Sequence, residues 1–315
     1  LEFRRVLFRS QIVCDSGVGT VENRPACKEL TCEVSMFLKD ENSRTKTAYE
    51  KEWKYITKQE ERLEKAAMRQ STVGPSVLVW KEKLEQKIPV KIYDNLRAAF
   101  CKAFSVVFEQ GTGIIEKTIR KDQLEKDYEI QNYAIGIKGT RKELKQLRKK
   151  AGASGVRDMA VTAAEGIGLG VLGIGLPDIV VFTGFILRGI YETALQYGFT
   201  YDATEEKLLI LKMMEASLSH GEEWVRVNAE VDRILAKEWH GNHAEDDVTQ
   251  QIRRTADVFA LDMLLAKFIQ GLPLIGIVGG AGNPVYYGKV LRYAQLKYHK
   301  RNLQVKLDKI NKELK

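Results

Sequence analysis

The chain has 315 residues, enough for one large domain or two modest ones with a real buried core. Hydrophobic residues make up 44% and charged residues 29%, which argues against a collagen-like, mucin-like or multispanning membrane chain. With 50 Lys and Arg against 42 Asp and Glu the net charge is +8, a balance that favours anionic partners without naming one.

Residues 1–10, LEFRRVLFRS, resemble the translation of a DNA-sequencing adapter, and residues 11–35 show no apolar period before Met36. Residues 1–35 are therefore expected to be a non-native or disordered leader and are kept out of the fold reasoning, leaving 36–315 as a single helical domain. The leader holds five basic and five acidic residues, so the +8 stays with the rest. It also holds Cys14, Cys27 and Cys32, leaving Cys101 in the apolar setting AAFCKAF. One thiol supports no disulfide framework and no CxxC site, and a small core residue is the expected role.

The next elements read as helices. Tyr49, Trp53, Ile56, Leu63 and Ala67 form one apolar stripe on a charged helix that Gly74-Pro75 should stop. A short helix is expected over 77–86. A more deeply buried one follows over 91–108, with Ile92, Leu96, Ala99, Phe100, Ala103, Phe104 and Val107 inward, and another over 114–129. Asp202 before Glu205, Ser219 before Glu222 and Asn242 before Glu245 read as three helix caps. Helices with Trp224, Val227, Val231 and Ile234, and with Val248, Ile252, Ala256, Phe259, Met263 and Ala266, on one face follow the last two. No alternating strand pattern appears, so the expected class is all-α.

Two apolar stretches depart from ordinary amphipathic helices. Residues 166–187 contain Asp178 as their only charge, and residues 268–288 contain none. Both reach bilayer-spanning length, but Pro177 divides the first, while Pro273, Gly279-Gly280 and Pro284 divide the second. Each reads as a helical hairpin of two half-helices. Gly166, Gly170, Gly173 and Gly184, with Gly189 nearby, would allow close backbone approach. Soluble core and membrane insertion both fit this composition.

Basic residues cluster beside these stretches. The segment 138–150 carries Lys138, Arg141, Lys142, Lys145, Arg148, Lys149 and Lys150 against one acid, for +6. The segment 289–315 carries nine basic residues, among them Lys289, Arg292, Lys297, Lys300 and Arg301, against two acids, for +7. The remainder of the chain is therefore at −5. Positive charge flanking apolar segments is expected of a protein on an anionic membrane surface, and the alternative is a pair of solvated helix faces.

Signals for chemistry are weak. Gly168, Gly170 and Gly173 match G-x-G-x-x-G but lack the preceding strand that a dinucleotide site needs, so no cofactor is expected. His240 and His243, with Glu238, Asp246 and Asp247 nearby, are weak metal candidates better read as a polar loop, and no metal site is expected. Glu165 and Asp178 are weak candidates for a buried catalytic carboxylate pair, against the plainer reading of Asp178 at a helix start. No nucleophile elbow occurs. Tyrosines interleave the basic tail, yet Leu296, Leu303, Leu307, Ile310 and Leu314 stripe the same helix, so packing is expected there rather than nucleic-acid binding.

The opening YEKEW around Trp53, the KIPVKIYDNLRAAF segment at 87–100, the glycine-rich run from Gly168 to Phe199 and the late GLPLIGIVGGAGNPVYYGKVLRYAQLKYHKR together resemble the EcsC protein family over about residues 46–303. That family is named for a bacterial operon that also encodes an ATP-binding-cassette exporter. The resemblance implies a helical, membrane-associated accessory or regulatory protein of bacteria; with the charge map, the expected place is cytoplasmic, peripheral to or partly inserted in the membrane, and no signal peptide is expected. Its implied partners are an anionic membrane surface and ABC transporter subunits. It carries over no catalytic residue. A lipid-acting or hydrolytic enzyme and a soluble helical scaffold remain as alternatives.

Overall fold

The structure is a computed structural model, and it describes residues 25–72, 90–108, 119–152, 176–236, 245–269 and 282–313, together with residues 115 and 117. Among these residues there are nine helices and no strands: α1 (Pro25–Thr72), α2 (Val90–Val106), α3 (Lys121–Lys138), α4 (141–152), α5 (Leu176–Gln196), α6 (Thr204–Leu218), α7 (Gly221–Leu235), α8 (Glu245–Ile269) and α9 (Gly282–Glu313). The all-α expectation holds.

Helix α6 forms the middle of the bundle. Leu208, Leu209, Leu211, Met213, Met214 and Ala216 bury around its circumference together with Glu206, Lys212 and Glu215, so it is enclosed on every side and packs against α7, α8 and α9. Helix α9 lies against α1, α5 and α6, while α2 bridges α5 and α8. Phe100 and Phe104 of α2 meet Phe259 of α8 with ring centroids 5.4 and 5.6 Å apart, a contact that fixes the broad stripe anticipated for both helices. Tyr49, Ile56 and Ala67 of α1 are buried as their spacing predicts, with Trp53 and Leu63 packed at the edge. Cys101 is half-buried against this core, and burial pushes its thiol up from its ordinary pKa, so the packing role stands.

Several boundaries differ from the sequence reading. Helix α1 starts at Pro25, ahead of Met36, with proline at the first helical position where its missing N–H costs nothing. Residues 115 and 117 are helical, as expected from 114 onward, but residues 119–120 interrupt the run, and α3 itself spans Lys121 to Lys138. It ends at Gly139, whose φ of 56° is left-handed and whose N–H donates to the Ile135 carbonyl at 2.8 Å. A side chain at 139 would also strike Thr45 of α1, so this turn suits glycine twice over.

Two of the three expected caps are absent. Helix α6 starts one residue late for Asp202, with Ala203 at its cap and no side-chain bond there. Ser219 instead closes α6, its Oγ donating to the Glu215 carbonyl at 2.8 Å, and His220 holds the cap position of α7. Only two residues separate these helices, so the serine reaches back to an orphan carbonyl rather than forward. Asn242 lies outside the described residues, as do the helix expected over 77–86 and most of both hairpin bends.

Helix α5 decides part of the membrane question. Its segment Ile179–Gln196 has the length and mean hydropathy, 1.2, of a candidate span, yet 72% of it is buried within the fold. Phe182, Ile186, Leu187, Ile190 and Tyr191 face other helices, so this is a core helix. Pro177 falls in the first turn of α5, and the part of the stretch ahead of it, 166–175, lies outside the described residues. At Gly184 a Cβ would meet nothing within 4 Å among the described residues. Gly189 is a close-approach point, since a Cβ there would lie 2.6 Å from Tyr287 Oη of α9. Gly189→Ala is therefore expected to destabilise by about 1–3 kcal/mol through overpacking. Gly184→Ala should be neutral or stabilising by up to about 1 kcal/mol from helix propensity. Chemical denaturation of both variants checks the contrast.

Candidate functional site: an outward lysine face and inward ion pairs

The two basic segments have different fates. In α4, Leu144, Leu147 and Ala151 pack inward. Arg141 and Arg148, seven residues apart on the adjoining edge, both grip Glu52 of α1, a carboxylate with 0% of its side chain exposed. Arg141 Nε donates to Glu52 Oε2 at 3.3 Å, and Arg148 also bonds Glu52 while lying 3.8 Å over the Tyr55 ring. Lys142, Lys145 and Lys149 follow one another at helical spacing on the opposite face and are exposed, as are Lys138 and Lys150. Lys138 lies 3.9 Å from Glu143.

The C-terminal segment turns its charge inward. Lys297 of α9 has 0% exposure and donates to Glu60 of α1 at 2.6 Å and to Asp232 of α7 at 2.8 Å. Lys300 donates to the same two carboxylates, each at 2.9 Å at its nearest. Burial pulls the Lys300 ammonium down, but Asp232 and Glu60 outweigh it and hold it above its ordinary pKa. Arg301 donates to Glu206 of α6 at 2.7 Å, and Tyr298 donates to the other oxygen of that carboxylate at 2.7 Å. Lys289 lies 3.8 Å from Asp262, which also pairs with His220 at 2.9 Å. Of the five tail residues expected at a membrane, Lys297, Lys300 and Arg301 are internal ion-pair partners, Lys289 is partly so, and Arg292 is exposed. The segment is basic because α9 crosses acids supplied by α1, α6 and α7.

His299 lies between those residues. It stacks on Tyr197 with centroids 5.4 Å apart, and its Nε2 has no hydrogen-bond partner. Burial first, then the charges of Arg148 and Lys306, press its pKa from 6.5 to about 3. A neutral His299 is thus part of the folded state.

The candidates for chemistry fall elsewhere. Glu165, His240 and His243 lie outside the described residues, as do Gly166, Gly170, Gly173, Pro273, Gly279 and Gly280. Asp178 and Pro284 fall in the first turns of α5 and α9, with their side chains likewise outside. Among the described residues no group of three or more His, Cys, Asp or Glu side chains could hold a metal. What sequence reasoning missed was the acid half of each buried pair. Glu52, Glu60, Glu206 and Asp232 are ordinary helix carboxylates far from their partners in sequence, so no local signal marks them.

Arg148→Ala should cost about 3 kcal/mol, because it strips the buried Glu52 of its second guanidinium, whereas Lys149→Ala, one residue on and exposed, should fall within about 0.5 kcal/mol. Urea unfolding of both variants reads the difference. The depressed pKa of His299 has a defined sign. Its stabilising contribution is complete above 6.5 and is lost as pH falls through that value toward about 3. His299→Phe should flatten the fall in unfolding midpoint over that window relative to the parent chain.

Residues 50–303 match the profile of the EcsC protein family. No curated protein and no solved structure matches the chain. With the ordered motifs, the helical bundle and a match over most of its length, the chain belongs to the EcsC protein family.

Proposed function

We propose that this chain is a non-enzymatic accessory or regulatory protein that docks on the anionic cytoplasmic face of a membrane. Its association with an ATP-binding-cassette exporter rests on the family resemblance alone. The observation that carries the reading is the lysine face of α4. Lys142, Lys145 and Lys149 point outward together, with Lys138 and Lys150 beside them, while the arginines of the same segment are committed to Glu52. An ammonium on a long stem, solvated and gathered with others on one side of a helix, suits diffuse attraction to lipid phosphate rather than a fixed bidentate contact. The buried pairs of α9 narrow the proposed surface, since Lys297, Lys300 and Arg301 already have acidic partners inside the fold.

Peripheral docking fits α5, whose apolar length is turned into the bundle. Near an anionic surface each lysine contributes about 1 kcal/mol, so three together contribute about 3 kcal/mol, or about a hundredfold in affinity. The full chain should therefore co-sediment far more strongly with phosphatidylglycerol-containing vesicles than with pure phosphatidylcholine vesicles at low salt. K142Q/K145Q/K149Q should weaken that binding by about a hundredfold at low salt without lowering the unfolding midpoint. Equal binding to both vesicle types, or none to either, would overturn the reading.

A further inference from the structure

Helix α3, joined to α4 through the Gly139 turn, exposes an apolar row. Ile130, Tyr133 and Ile137 are 66%, 71% and 54% exposed, and their spacing of three and four places them on one face. The inward face of α3 is already occupied by Leu124, Tyr128, Gln131 and Ile135. Gln131 Nε2 donates to the Glu143 carbonyl at 3.1 Å, which locks α3 against the start of α4. The outward row is therefore not spare core; among the described residues, large apolar side chains this open are few, and three of them fall on this one helix face.

The chemistry around the row selects its occupant. Exposed Asp127 and Glu129 flank the N-terminal end of the row, and from Ile130 onward to Lys150 the only acid is Glu143, which is buried. Its carboxylate bonds Thr140, and that bond, against the opposing effect of burial, holds its pKa below the usual carboxylate value. The residues these 21 positions leave exposed are thus two isoleucines, one tyrosine, five lysines and a few small or neutral polar groups, with no exposed negative charge. Lys126 extends the row one turn toward the N-terminus, and Lys138 follows Ile137 directly. A protein partner matching this surface would have to offer apolar and acidic groups in a fixed pattern. An anionic bilayer offers both in any pattern, with lipid phosphate at the surface and hydrocarbon beneath it.

We infer that α3 and α4 form a two-part membrane contact, in which Ile130, Tyr133 and Ile137 enter the headgroup and acyl boundary of an anionic bilayer while Lys138, Lys142, Lys145 and Lys149 hold the phosphates. The inference rests on the membrane-surface reading above and adds to it a contact that salt does not screen. Tyrosine suits the boundary because its ring is apolar and its hydroxyl stays wet. The Gly139 turn joins the two parts, and its contact with Thr45 of α1 ties them to the bundle.

The test uses the full chain and vesicles of phosphatidylglycerol mixed with phosphatidylcholine, at low and at high salt. The parent chain should bind at low salt and keep a measurable fraction bound at high salt. I130S/Y133S/I137S should still bind at low salt through its lysines but lose about a hundredfold in affinity and release completely at high salt. As a second variant, Ile137→Trp should raise the fraction held at high salt, a gain that misfolding would not produce. If both variants match the parent chain at every salt concentration, the apolar contact is wrong while the lysine contact survives. If the parent chain binds neither anionic nor neutral vesicles, the underlying reading fails with it. If the parent chain sediments as a dimer in solution and the serine variant as a monomer, a second copy covers the row and the inference is overturned.

Discussion

Lys297 has no solvent contact, and its ammonium is held between Glu60 of α1 and Asp232 of α7. A buried positive charge tolerates little displacement, because losing either carboxylate exposes the full cost of desolvating it. This one group therefore fixes the positions of three helices that are distant in sequence. Lys300 repeats the arrangement one turn along, and Arg301 with Tyr298 extends it to Glu206 of the central helix α6. The long C-terminal helix is thus a charged strut inside the bundle, and its register against α1, α6 and α7 is set by ion pairs as much as by Tyr287, Leu291 and Leu303. Such pairs are worth less in net stability than in specificity, since an apolar helix of the same shape could slide.

The same accounting separates two kinds of basic residue that look alike in the sequence. Arginines 141 and 148 clamp Glu52 from the edge of α4, and a guanidinium suits that duty because it offers several donors in a rigid plane. The lysines between and beyond them are exposed, on the side of α4 away from Leu144, Leu147 and Ala151. Arg141, Lys145 and Arg148 follow one another at spacings of four and three, so spacing alone does not sort structural charge from surface charge; the position of Glu52 at one edge of α4 does. His299 completes the interior on the α9 side: placed against Tyr197 and near Arg148, it folds in only as the neutral ring.

Much of the fold was legible before the structure. The stripes of α1, α2, α7 and α8 lie where their apolar spacing puts them, because burial of one helix face is a local property repeated every turn. Helix starts were less legible. Asp202 and Ser219 each had an acid three residues on, yet neither caps the helix that follows, because connections of a few residues let a short side chain serve the preceding helix or none. Glycines were legible as a group and not one by one. Gly184 and Gly189 sit in the same apolar run, and only the second meets Tyr287, since which glycine faces a neighbour depends on how α5 and α9 cross.

By itself, the sequence determined the all-α class, the apolar face of each regular helix, the family and the places where positive charge gathers, because each is written in composition and period. Only the tertiary structure decided which of those charges remain available. Glu52, Glu60, Glu206 and Asp232 lie tens to hundreds of residues from the cations they neutralise, so pairing follows from helix packing and not from spacing. The exposure of Ile130, Tyr133 and Ile137 is of the same kind. A stripe of three apolar residues on a helix reads as core until its neighbours are in place, and here the neighbours occupy the other side.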